Sequence, residues 1–223
     1  MHRGLKISVV IPCYNEEDGV RITIGQLPKV VDEIVVVDNN STDRTAEVAR
    51  SLGARVVPEK RKGYGAAYQA GLPAATGDVI VTLDGDGTYP ADQIPELVDY
   101  LEDKQLDFIS ASRFPLKNPR AMNFSNKVGN AVLTAGMAVL YGTPVRDSQS
   151  GMWVFRSAVY PKLRVKSDGM AFSEEIKIEA IRHRDVRFGE YNVDYRPRVG
   201  EVKLDKWRDG FRNLFFLVKK RFS

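Results

Sequence analysis

The sequence has 223 residues, 43% hydrophobic and 28% charged, with 18 Gly and 11 Pro in no period; this excludes a disordered, collagenous or low-complexity chain and leaves room for one α/β core. The net charge is +4, but residues 203–223 hold seven Lys or Arg against two acids and the first 202 residues sum to −1, which argues against a nucleic-acid partner. One cysteine, Cys13, and two histidines, His2 and His183, exclude an internal disulfide, a cysteine zinc cluster and a histidine-rich metal site, so a metal here sits on carboxylates and is Mg²⁺ or Mn²⁺.

In chain order, the β-branched run 7–11 predicts a buried strand, 17–27 a helix and 34–37 a second strand ending at Asp38. The polar stretch Asn39-Asn40-Ser41 opens a helix through Leu52, 55–57 forms a short third strand, and 64–75 reads as a helix rich in alanine. A fourth strand, 79–83, stops at Asp84. An amphipathic helix over 91–103 and a strand over 108–111 follow. Such alternation implies a mostly parallel sheet covered by helices on both faces. Past residue 115 the rhythm changes to a long helix over 126–141, a strand over 152–155, a helix over 173–183 and a strand over 187–195. There is no linker, repeat or low-complexity segment. No run reaches the roughly 20 apolar residues that span a bilayer, and the first 17 residues turn polar too soon for a signal peptide.

In an open parallel sheet, ligands bind beyond the carboxyl ends of the strands. Polar groups collect there: Pro12-Cys13-Tyr14-Asn15-Glu16 after the first strand, Asp38 to Asp43 after the second, Asp84-Gly85-Asp86-Gly87 after the fourth and Ser112-Arg113 after the fifth. Two carboxylates two residues apart after a buried strand can converge on one hard cation, with Gly85 and Gly87 allowing close backbone approach.

Seven motifs stand in order: VVIPCYNEE (9–17), IVVVDNNSTDRT (34–45), KGYGAAYQAG (62–71), VTLDGDGTYP (81–90), SASRF (110–114), DSQSGMWVFR (147–156) and RVGEVKL (198–204). Together they resemble the family 2 glycosyltransferases with the GT-A fold, and within them the polyprenyl- or dolichyl-phosphate hexose transferases. The resemblance implies one GT-A domain over 1–203, with a nucleotide-sugar half (1–115) and an acceptor half (116–203); the composition of the remainder marks a basic amphipathic segment (204–223). It implies an inverting, metal-dependent hexosyltransferase. Pro12, Tyr14, Glu16, Asp38 and Lys62 would bind the nucleotide with Asp84 and Gly85. Asp84 and Asp86 would hold Mg²⁺ or Mn²⁺ on the diphosphate. Arg113, Lys127, Arg198 and Lys203 would contact phosphates of donor or acceptor. Asp147, Ser150 and Gly151 match the sugar-side loop.

The implied donor is a UDP-hexose or GDP-mannose. Thr88 stands where mannosyl-transferring relatives often carry Gln, which favours UDP. The implied acceptor is a lipid-linked phosphate, already ionised at neutral pH; a glycan hydroxyl acceptor would need a carboxylate base, for which Asp147, Glu174 and Glu175 are the choices. The apolar and basic residues from Trp207 to Phe222 suit a helix lying in a membrane interface, which predicts a peripheral protein on the cytoplasmic face; docking on the domain or a homodimer contact is the alternative. Two other functions compete. Asp84 and Asp86 also fit the nucleophile and acid of a haloacid-dehalogenase-like phosphatase, although no downstream acid run follows residue 88. A non-catalytic nucleotide-binding relative is the second.

Overall fold

The computed structural model describes residues 1–142, 145–198 and 206–222, and the side chains of 206–209 are outside that description. Seven strands form one sheet: β1 (Ile7–Cys13), β2 (Glu33–Asp38), β3 (Arg55–Pro58), β4 (Val79–Thr82), β5 (Phe108–Ser112), β6 (Trp153–Arg156) and β7 (Phe188–Asn192), in the order β3-β2-β1-β4-β6-β5-β7. All pairs are parallel except those of β6, which runs antiparallel to both β4 and β5. The helices between them are α1 (Glu17–Gly25), α2 (Thr45–Ser51), α3 (Tyr64–Gly71), α4 (Ile94–Asp103), α5 (Phe124–Tyr141), α6 (Phe172–Arg182) and α7 (Lys206–Arg221).

The alternation of β1 explains the two cores. Val9 and Ile11 face one side with Val36, Val81, Leu97 and Leu101. Val10 faces the other with Val35, Val37, Tyr68, Phe155 and Phe172. Period-two strands buried on both faces give this arrangement when helices cover both sides. A third cluster of Leu133, Met137, Val145, Ile178 and Leu217 joins α5, α6 and α7.

Helix α5 starts where the Asn123 side chain accepts a hydrogen bond from the Asn126 amide at 3.0 Å and stops at Gly142, whose φ of 65° is left-handed. Gly210 does not interrupt α7, because tertiary contacts outweigh its low propensity. Leu214 and Leu217 pack into the third cluster, and the Tyr141 hydroxyl donates to the Leu217 carbonyl at 2.7 Å. The outer face of this pair is apolar and exposed: Phe124, Val132 and Val139 on α5, Phe211, Phe215 and Val218 on α7. Among the described residues, no helix is long and apolar enough to cross a membrane.

Candidate active site

The chain goes from β1 outward to β2 and β3, then returns to place β4 on the other side of β1. That reversal opens a crevice beyond the carboxyl ends of β1 and β4. A cleft of about 550 Å³ lies there, lined by Pro12, Tyr14, Glu16, Asn39, Lys62, Tyr64, Asp84, Gly85, Asp86, Met170, Arg198 and Arg212. Eight residues singled out in the sequence therefore meet in one cavity: Pro12, Tyr14, Glu16, Lys62, Asp84, Gly85, Asp86 and Arg198.

The loops at this end hold one another in place. The Asn15 amide donates to Ser41 Oγ at 3.0 Å, and Asn15 Oδ1 accepts from the Thr42 amide at 2.7 Å. The Glu16 amide donates to Thr45 Oγ1 at 2.8 Å. Gly85 is required by the protein itself as well as lining the cleft, since a Cβ there would lie 2.6 Å from Cys13 Sγ. At the outer end, Tyr14 is partly exposed, with the Lys62 ammonium 5.7 Å from its ring centroid. An aromatic face beside a cation suits a stacked base.

The inner end is acidic. The Tyr64 hydroxyl donates to Asp84 Oδ1 at 3.2 Å. Burial and the neighbouring Asp86 carboxylate push Asp84 up to about 7. Asp86 Oδ1 accepts from Thr88 Oγ1 at 2.7 Å, and Asp86 Oδ2 from Arg198 Nη1 at 2.5 Å. The other arm of Arg198 pairs with Glu16. Among the described residues, no group of three or more His, Cys, Asp or Glu forms a metal cage. Two carboxylates fit a hard divalent cation that takes its remaining ligands from water and phosphate. Asp86 Oδ2 already faces a cation, the Arg198 guanidinium, so the donor set suits a positive charge at this point.

The other sequence-chosen residues are not on the cleft wall. Asp38 closes a turn by accepting from the Ser41 amide at 3.0 Å, and the adjacent Asn39 reaches the cleft instead. Arg113 and Asp147 form a buried fork: Nε to Oδ2 at 2.7 Å and Nη2 to Oδ1 at 2.8 Å, with the Arg113 amide also donating to Oδ2 at 3.0 Å. The guanidinium holds the Asp147 carboxyl below its ordinary value despite burial. Glu175 Oε2 accepts the amides of Lys166 and Ser167 at 2.9 and 2.8 Å, while Oε1 accepts from Lys220 at 3.0 Å. Lys127 stands on α5, with Nζ donating to the Pro119 carbonyl at 3.0 Å. Lys203 lies outside the described residues. Ser150 and Gly151 sit below Asp84; a Cβ on Gly151 would lie 3.0 Å from Asp84 Oδ1.

Several site residues escape a reading of the sequence. Asn39 fixes the loop before α3: its Nδ2 donates to the Arg61 carbonyl at 2.6 Å, and its Oδ1 accepts the Gly63 amide at 2.9 Å. Lys177 is fully buried and donates to the carbonyls of Asp147, Ser148 and Ser150 at 3.2, 2.7 and 2.8 Å. A helical lysine ordinarily reads as solvated. Arg212 enters the cleft from α7, and no local pattern marks it. Beside α7 lies a second cavity of about 400 Å³, walled by Phe124, Val128, Val132 and Leu133 from α5 and by Phe211 and Leu214 from α7.

The family model for glycosyl transferase family 2 matches residues 8–164, a span that holds the carboxylate pair and the strands that place it. The chain belongs to glycosyl transferase family 2. It is a glycosyltransferase, and the phosphatase alternative falls with that membership. It is 33% identical over 207 residues to a dolichyl-phosphate hexose transferase of Haloferax volcanii, covering 92% of this chain and 89% of that protein. It is 35% identical over 219 residues to the low-salt glycan biosynthesis hexosyltransferase Agl6 of the same organism, covering 95% of this chain and 53% of that protein. The chain thus spans about half the length of Agl6. Glucosyl-3-phosphoglycerate synthase from Mycobacterium tuberculosis, solved with Mn²⁺, UDP-glucose and glycerol 3-phosphate, superposes with a TM-score of 0.78 at 22% identity, over 98% of this chain and 80% of that one. This likeness establishes the GT-A fold.

Proposed function

We propose that this family 2 glycosyltransferase moves a hexose from a nucleotide sugar to a lipid-linked phosphate at a membrane surface, with inversion at the sugar carbon. The observation that carries the reading is the pairing of Asp84 and Asp86 at the inner end of a cleft whose outer end offers Tyr14 and Lys62. A base at the outer end and a diphosphate at the inner end match the polarity of that cavity. The name of the Haloferax volcanii relative that matches over most of both chains supports the lipid-phosphate acceptor.

An acceptor phosphate oxygen attacks the anomeric carbon from the face opposite the leaving group. The bond from that carbon to the diphosphate oxygen breaks, and its electron pair departs with the nucleoside diphosphate. Mg²⁺ or Mn²⁺, held by Asp84 and Asp86, would neutralise charge on the diphosphate. Arg198, within reach of both Asp86 and Glu16, is placed to bind the leaving phosphates. No proton has to be removed from a phosphate ionised at neutral pH. The three acids named as bases for a hydroxyl acceptor do not line the cleft. Asp147 is tied to Arg113, Glu175 to Lys166, Ser167 and Lys220, and Glu174 to Gln149 at 2.7 Å. That supports a phosphate acceptor over a hydroxyl.

Membrane contact is assigned to the exposed apolar face of α5 and α7, flanked by Lys127, Lys219 and Arg221, which suits an anionic lipid surface. A UDP-sugar is the proposed donor, because Thr88, whose buried hydroxyl donates to Asp86, stands where mannosyl-transferring relatives often carry Gln. The test is transfer of radiolabelled hexose from UDP-glucose, UDP-N-acetylglucosamine or GDP-mannose to a short polyprenyl phosphate, with Mn²⁺ or with EDTA. Lipid-linked hexose with one nucleoside diphosphate released per transfer, lost in EDTA, is the expected result. Transfer only to a glycan hydroxyl, or no transfer, overturns the reading.

A further inference from the structure

We infer that Arg212, contributed by the C-terminal helix, binds the acceptor's phosphate at the point where the donor cleft meets the apolar groove. This rests on the lipid-phosphate reading above. Arg212 lines the donor cleft beside Met170 and Arg198, while its neighbours Phe211 and Leu214 line the groove between α5 and α7. One turn of helix therefore separates the cavity suited to the nucleotide sugar from the cavity suited to an apolar chain. A molecule with a hydrocarbon tail in the groove and its charged head at the cleft mouth would place that head at residue 212.

The charge arrangement favours a further cation there. The inner cleft carries Glu16, Asp84 and Asp86, and a donor diphosphate adds negative charge. An incoming phosphate, with a charge of about −1.5 to −2 at neutral pH, is repelled unless a positive group meets it. Arg113 is engaged by Asp147, and Arg198, beside Asp86 and Glu16, is taken by the donor's leaving phosphates. Arg212 is exposed, and among the described residues no carboxylate pairs with it. A planar guanidinium suits a phosphate because two N–H groups can donate to two of its oxygens.

The helix is held in register by buried polar contacts rather than by apolar packing alone. Asn213 Nδ2 donates to Gln149 Oε1 at 3.0 Å, with Asn213 buried. Lys220 reaches Glu175 at 3.0 Å and Glu179 at 2.8 Å. Gln149 belongs to the loop that runs below Asp84, so these contacts fix Arg212 relative to the carboxylate pair.

The experiment compares wild type, Arg212→Ala and Arg212→Lys in the full chain. Direct binding of geranylgeranyl phosphate is measured, with geranylgeraniol as the uncharged control, together with the acceptor KM and the Kd for UDP with Mn²⁺. Loss of a charged hydrogen-bond pair predicts weaker phosphate-lipid binding and a higher acceptor KM by about tenfold to a hundredfold in Arg212→Ala. Arg212→Lys recovers part of it, the geranylgeraniol control does not change, and the nucleotide Kd stays within about twofold. Because Arg212 is exposed, the melting temperature is unchanged. An unaltered affinity for geranylgeranyl phosphate overturns the inference. So does a raised nucleotide Kd with an unaltered acceptor KM, which would make Arg212 a donor clamp. A wild-type protein that binds geranylgeranyl phosphate yet transfers no hexose to it overturns the proposed function and not the Arg212 contact.

Discussion

Replacing Asp147 by alanine strands a buried charge. Asp147 is fully buried and Arg113 is 9% exposed, so water cannot replace the lost carboxylate. The substitution removes the carboxylate that accepts from three N–H groups of Arg113, and it takes away a negative charge that compensates the buried Lys177 ammonium. Removing one member of a buried pair costs about 3–5 kcal/mol. For a chain of this size each kcal/mol lowers the melting temperature by about 2–4 °C, so Asp147→Ala should melt about 6–20 °C below wild type. Circular dichroism melts at neutral pH measure this directly. Adding Arg113→Met removes the stranded guanidinium and should restore a large part of the loss, giving a coupling energy of several kcal/mol in the double-mutant cycle. The sign with pH follows from Asp147 lying below its ordinary value in the fold. The pair's stabilisation is complete above the ordinary aspartate range and is lost as pH falls through the lower folded value. The gap between wild type and Asp147→Asn therefore narrows in acid. A melting temperature for Asp147→Ala within about 2 °C of wild type would mean that the buried pair contributes little to stability.

Glu174 gives the opposite pH dependence. Burial raises it to about 8, and its Oε2 is buried without a hydrogen-bond partner among the described residues. The folded state holds a proton that the unfolded chain releases, so stability falls as pH rises from the ordinary glutamate value to about 8. Glu174→Gln should match wild type near about pH 5 and melt above it near about pH 8.5; a variant less stable than wild type at the higher pH contradicts this. On the outer face of α7, Phe211 and Phe215 are 68% and 70% exposed. Replacing both with Glu should abolish co-sedimentation with anionic vesicles and leave the melting temperature unchanged, whereas retained binding rules out this face as the membrane contact.

The strands were legible because buried parallel strands are continuous β-branched runs, and 7–11, 34–37 and 79–83 are such runs. The direction of β6 was not, since its antiparallel partners lie more than 40 residues earlier and the run itself is the same either way. Asp84 and Asp86 were legible because they stand two residues apart and follow a strand. The partners of Asp86 differ in this respect: Thr88 is local, but Arg198 arrives from 112 residues away. Asp38 and Asn39 show how finely the boundary matters, since one residue decides which side chain closes the turn and which faces the cleft. Lys177 and Arg212 were invisible for a related reason. A basic residue on a helix looks solvated until the fold sets a ring of carbonyls over one and a cavity beside the other.

The proposed reaction depends on the cleft binding a nucleoside diphosphate through a cation on Asp84 and Asp86. Calorimetric titration of UDP and GDP, each with Mn²⁺ and with EDTA, into wild type and Asp86→Ala tests it most directly. Wild type should bind UDP at least about tenfold more tightly with Mn²⁺ than with EDTA, and Asp86→Ala should lose this difference. Equal affinity with and without metal in both proteins, or no nucleotide binding at all, would contradict it.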